Sequence, residues 1–139
     1  MVIVLKDNLF IKGTEKKSGM SDKILNYHEI CESIKKLDSK IRFAGIINER
    51  GRLVAGGIKD GVEPLDSEKE DEMLFMELAL RVRMRKEFDK QLGKVKFSMS
   101  LRDKALAMSF PIGDDALYVY AEPDADFKVL PPKILDLIK

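Results

Sequence analysis

The chain is poor in the residues that most often carry chemistry. Its 139 residues include one cysteine, Cys31, and one histidine, His28. A lone cysteine excludes an internal disulfide and fits a reducing, cytoplasmic setting. His28 and Cys31 stand three residues apart on one helix and offer two metal ligands, where a zinc site needs three or four. A Cys–His dyad or a His-dependent triad would have to use the same two side chains, and no Asp or Asn can be placed beside them. Both are read as structural or surface residues, with Cys31 a small buried hydrophobe. Long apolar runs are missing too. The opening MVIVLKDNLFI is too short and too interrupted to span a membrane, and it lacks a small-residue cleavage site. Nor does one sign of charge prevail. The 25 basic and 24 acidic residues leave a net charge of +1, with no global pull toward nucleic acid or membrane.

Hydrophobic residues make up 45% of the chain and charged ones 35%, enough for one soluble domain with a real core. The organising stretch is Ser67 to Leu92, which contains neither Gly nor Pro. Ser67 and Glu70 have the form of a capping box. Acids crowd its first turns and bases its later ones, as the helix dipole favours. At about 100° per residue, Met73, Met76, Leu80, Met84 and Phe88 form one apolar stripe. Leu74, Phe75, Leu78, Ala79 and Val82 cover much of the other side. A helix apolar on two faces has two things to bury against: its own core and a partner. The stripe Met73, Met76, Leu80 and Met84 is the expected interface, because Met-rich faces re-pack readily. Phe75, Leu78 and Val82 are the expected core side.

Before this helix, residues 1–20 read as an N-terminal arm, a short apolar run followed by a polar linker. Residues 21–139 read as the single folded domain. Ser21 to Leu37 is the first helix, with Ile24, Tyr27, Cys31 and Ile34 on one face. Ile41 to Asn48 and Arg52 to Ile58 form a β-hairpin around Asn48-Glu49-Arg50-Gly51. Gly45, Gly56 and Gly57 mark bends or close backbone approach. After Gly93, the expected C-cap, the period changes to two. Val95, Phe97, Met99 and Leu101 are expected to face the core, with Lys94, Lys96, Ser98 and Ser100 outside. Two more strands follow, Leu106 to Phe110 and Ala116 to Ala121, completing an antiparallel meander. A short helix over 132–138 closes the chain, with Pro in its first turn. The fold class is α+β, with a five-stranded antiparallel sheet.

Four groups of residues invite sharper readings, and each has a plainer one that the pattern favours. Asp66, Glu68, Glu70, Asp71 and Glu72 lack the alternating spacing and central Gly of a calcium loop, so helix-dipole complementation accounts for them. Gly56-Gly57-Ile58-Lys59-Asp60-Gly61 lacks the Gly-Lys-Ser/Thr of a phosphate loop and reads as a plain loop. Arg81, Arg83, Arg85, Lys86 and Lys90 form a basic rim that would suit phosphates or an acidic partner. Without interleaved aromatics it reads as a solvated face. Tyr118 and Tyr120 share one strand face and are expected to pack under a helix.

The hairpin IRFAGIINERGRLVAGGIKDG resembles the first hairpin of the roadblock / dynein light chain superfamily. The elements after it arrive in that family's order: helix, two strands, long helix, three strands, short helix. The resemblance covers 21–139, extends more loosely to profilin-like and longin-like domains, and is shared with a group of small archaeal proteins of unknown function. It implies a non-enzymatic protein that dimerises through the long helix and an adjoining edge strand. Such a protein serves as a scaffold or regulator for a partner such as a small GTPase. Two rivals stand beside this reading, a small-molecule sensing domain and a nucleic-acid binder acting through Arg81 to Lys90. The residues suggest no catalytic group, cofactor or metal ligand.

Overall fold

The computed structural model describes residues 19–139; the N-terminal arm expected over 1–20 lies almost wholly outside them. The elements are α1 (Gly19–Lys35), β1 (Ile41–Ile47), β2 (Leu53–Ile58), α2 (Glu68–Arg85), a single 3-10 turn (Lys86–Phe88), α3 (Asp89–Leu92), β3 (Ser98–Leu101), β4 (Leu106–Ile112), β5 (Asp115–Ala121) and α4 (Leu130–Ile138). All strand pairs are antiparallel, and the sheet order is β2-β1-β5-β4-β3. The expected α+β architecture is therefore present, with the hairpin and the meander joined through β1 and β5.

The two faces of the sheet carry different helices. On one, α1 and α4 close a core containing Cys31, Ile34, Ile46, Met108, Phe110, Val119 and Ile134, all buried. On the other, α2 presses Phe75 and Leu78 onto Phe43, Ile47 and Ala116, with Tyr118 and Tyr120 packed beside them. A register irregularity between Ile41 and Phe43 lets Ile41 join Ala44 and Ile46 on the first face. Without it a period of two would send Ile41 to the other side.

Local chemistry explains most of the boundaries. Ser67 accepts from the Glu70 backbone N–H at 3.2 Å, while Glu70 accepts from the Ser67 N–H at 2.8 Å. Those are the reciprocal bonds of a capping box. The hairpin turn is held by Asn48, whose Oδ1 accepts from the N–H groups of Arg50 and Arg52. Gly51 takes φ of 78° there. Gly56 also has φ of 78°, and a Cβ at that position would collide with the Ala44 carbonyl and stand 2.7 Å from Cys31 Sγ. α1 thus reaches the sheet only because Gly56 lacks a side chain.

Two expectations need correction. The expected strand over 94–101 is only Ser98–Leu101, and its apolar residues are not covered. Phe97, Met99 and Leu101 are 37%, 42% and 61% exposed. Their direction is the expected one, since Met99 and Leu101 stand opposite Met108 and Leu106 of the larger core. However, β3 is an edge strand of the sheet, and the helices do not cover that far. The strand starts late because Lys96 would face Pro111, which has no N–H to offer a ladder. The long helix is also not continuous to Leu92. It tightens into a 3-10 turn at Lys86 and restarts for one turn before Gly93, and no residue type in the sequence marks that change.

Candidate interaction surface

α2 lies across β1 and β5 and leaves its outer side open. Phe75 and Leu78 are buried and Val82 is partly so, as their helical phase requires. Met73, Met76, Leu80 and Met84 are 66%, 51%, 51% and 66% exposed, and Phe88, in the 3-10 turn that follows, is 58% exposed. Four large apolar side chains in one row on a charged helix make an unusual surface, of the kind that marks an interaction site. The row is fixed at one point by the hairpin. A Cβ on Gly51 would come within 2.9 Å of the Met76 Cα, so the turn lies directly against the helix backbone.

Beside α2 a groove runs over β4 and β3, its floor buried at Ala107 and Ser109 and open at Ser100. Ser98, Ser100, Ala107 and Ser109 form that floor, because the small residues of both strands point to this face while the large ones point to the other core. Glu77, Arg81 and Arg85 wall the groove on the helix side and Arg102 stands at its outer end. The outer edge of β3 pairs with no strand among the described residues. An open edge beside an apolar helix stripe allows both sheet extension and helix packing by a second chain.

The basic residues do not form one rim. Arg81 pairs with Glu77 at 3.5 Å and Lys86 approaches Asp114 at 3.9 Å. Arg83 and Lys90 are exposed. Arg85 turns inward, donating to Ser109 Oγ at 3.4 Å. Burial and the neighbouring Arg81 charge lower its pKa. The sequence showed only an Arg at a helical position. Its inward turn depends on the gap beside Ser109, where β4 offers no bulk.

The acids at the start of α2 also divide. Glu70 caps the helix, and its pKa is lowered by the bonds to Ser67. Asp71 is only 3% exposed, and its Oδ1 has no hydrogen-bond partner. Burial and a hydrogen bond with Asp66 raise its pKa to about 7. Dipole complementation therefore does not describe Asp71, which spends free energy to stay inside. No group of three or more His, Cys, Asp or Glu side chains among the described residues is placed to hold a metal. Cys31 is fully buried, with its thiol pushed up to about 12 by desolvation, which leaves it unreactive. Tyr118 and Tyr120 pack edge to face, with ring centroids 4.8 Å apart. Both border the α2 core, as their phase on the strand suggested. No helix among the described residues is long and apolar enough to cross a membrane.

Comparison with solved structures identifies the fold. A Roadblock/LC7 domain from Streptomyces avermitilis superposes with a TM-score of 0.61 at 15% identity, over 80% of this chain and 90% of that one. The gliding protein MglB from Thermus thermophilus gives 0.64 at 12% identity, over 87% and 89%. MglB in a tetrameric arrangement gives 0.61 at 12% identity, over 87% and 91%. Likeness at these identities establishes the roadblock fold and nothing finer. No curated protein matches the chain. Its sequence from residue 20 to residue 139 does match one family model, and the protein accordingly belongs to the family of unknown function DUF6659, built on a roadblock-type fold.

Proposed function

We propose that this protein is a non-enzymatic, self-associating scaffold or regulator that binds another protein through α2 and the β3 edge. The observation that carries the reading is the exposed row Met73, Met76, Leu80 and Met84 on a helix whose opposite face already packs on the sheet. A two-fold dimer would bring that row against itself antiparallel, and the acidic first half of α2 would then meet the basic second half of its copy. The tetrameric arrangement known for MglB supports self-association as a property of this fold. The partner class that the roadblock resemblance implies is a small GTPase. Dispersal of the basic residues to different sides of the helix weighs against the nucleic-acid reading.

Light scattering tests the proposal. The wild-type chain is expected to be a dimer at micromolar concentration, and Leu80→Asp is expected to be a folded monomer. A wild-type chain that is already monomeric would remove the homodimer. If Leu80→Asp stays dimeric, a different surface makes the contact. For the partner, a GTPase that binds the wild type should lose affinity for Leu80→Asp. Unchanged affinity would place the partner away from this stripe.

A further inference from the structure

A second feature of the molecule is independent of self-association. A cavity of about 320 Å³ lies between the end of α2, the segment ahead of β3 and the β4–β5 hairpin. Its walls are largely apolar, with Val82, Val95, Pro111 and Ala116 among them. Its charged lining is Arg85, Lys86 and Lys94 against Asp89 and Asp114. An apolar cleft with a few converging polar groups is the usual form of a small-ligand site, and the volume falls at the small end of that range.

Arg85 decides what kind of ligand would fit. Arg42 shows how this chain treats a half-buried guanidinium. It donates to Glu122 at 2.7 Å and to the Glu63 carbonyl at 2.6 Å, so its charge is matched. Arg85 is also half-buried, yet it has only the Ser109 hydroxyl at 3.4 Å, and no carboxylate among the described residues pairs with it. The nearby Asp114 is already approached by Lys86. A partly desolvated cation without a counter-charge is costly unless something supplies one. Three bases and two acids line the cavity, so one negative charge balances it and a doubly charged anion would be repelled by Asp89 and Asp114. The apolar walls in turn disfavour a bare inorganic ion.

We propose that this cavity binds a small monocarboxylate with an apolar body, its carboxylate paired with Arg85 and its body against Val82, Val95 and Pro111. A guanidinium holds a carboxylate through two parallel N–H donors, which fixes orientation as well as charge.

Calorimetric titration of the full chain with octanoate tests this, using octanamide and inorganic phosphate as comparators. Octanoate should bind saturably, with one molecule per chain. Octanamide, of the same shape without the charge, should bind at least about tenfold more weakly, the worth of a charge-assisted hydrogen bond. Phosphate should not bind. Arg85→Gln should weaken octanoate by about tenfold or more and leave octanamide unchanged. Val95→Trp, which fills the cavity, should abolish both. Absence of saturable octanoate binding would overturn the proposal, as would equal affinity for octanoate and octanamide or wild-type affinity in Arg85→Gln. Phosphate binding as tight as octanoate would overturn the apolar half of it. If a variant fails to fold, the wild-type comparison of octanoate with octanamide still decides the question. Light scattering on the same samples separates ligand binding from any change in assembly.

Discussion

On one face of the sheet, α1 and α4 bury a cluster of sixteen residues, while on the other α2 buries only five. The larger cluster is built from aliphatic and aromatic side chains supplied by both helices and four strands. The smaller one is a strip over β1 and β5, bordered by tyrosines, small residues and an inward-turned arginine. The same helix that closes the smaller core carries an apolar row on its outside. Burial on the α1 face is therefore nearly complete within one chain, failing only at the edge strand β3, where Phe97, Met99 and Leu101 stay partly exposed. On the α2 face the chain stops short, leaving the row, a groove over β4 and β3, and an open strand edge. The difference separates the part of the molecule that makes the fold stable from the part available for interaction.

Substitutions can break or sharpen that contrast. The largest effect is expected for Phe110→Ala in the larger core. Phe110 is fully buried and stacks against Phe97 at 5.8 Å, so chemical denaturation should show a loss of about 3–5 kcal/mol. Phe97→Ala, on the uncovered edge of the same stack, should cost clearly less. Equal losses would mean that β3 is covered in solution.

The next effect belongs to Asp71. Its folded pKa is raised to about 7 by burial and by Asp66, above the ordinary carboxylate value. The protonated form is therefore the one the fold prefers. The cost of ionisation is absent below the unfolded pKa, grows as pH rises, and is complete once pH exceeds about 7. Asp71→Asn should stabilise the protein by about 1–2 kcal/mol at pH 8, allowing for solvent around Asp66, and should change little at pH 4. Thermal melts across that range check it, and a stabilisation independent of pH would contradict the assignment.

A smaller effect is expected at the start of α2. Ser67→Ala removes one arm of the capping box and should cost about 1 kcal/mol, measurable by urea denaturation. The smallest stability change is expected for Leu80→Asp. Leu80 is 51% exposed, so the monomer's stability should stay within about 0.5 kcal/mol while its assembly changes. A large loss of monomer stability would show that the row is part of the core.

Much of this was legible in the residues. The capping box, the Asn48–Gly51 turn, the two phases of α2 and the pairing of Tyr118 with Tyr120 on one face follow from spacing alone. Helix and strand periodicities fix which side chains share a face, whatever lies opposite. Phe97, Met99 and Leu101 show where this stops. Their alternation located the correct face, but burial depends on a helix lying over it, and α4 does not extend over the edge strand. Asp71 and Arg85 depart from expectation for a related reason. Each is a charged residue at an ordinary helical position, and only the neighbouring chain shows that one meets Asp66 and the other an empty cavity.

The sequence by itself determined the order of elements, their approximate limits and the division of α2 into two apolar faces, because those properties arise from interactions a few residues apart. Tertiary structure decided which apolar face is covered, which strands are the edges, which charges are paired and where a cavity remains. Those outcomes depend on contacts between segments far apart in the chain, such as Arg42 with Glu122 or Arg85 with Ser109. No local pattern encodes the presence or absence of such a neighbour.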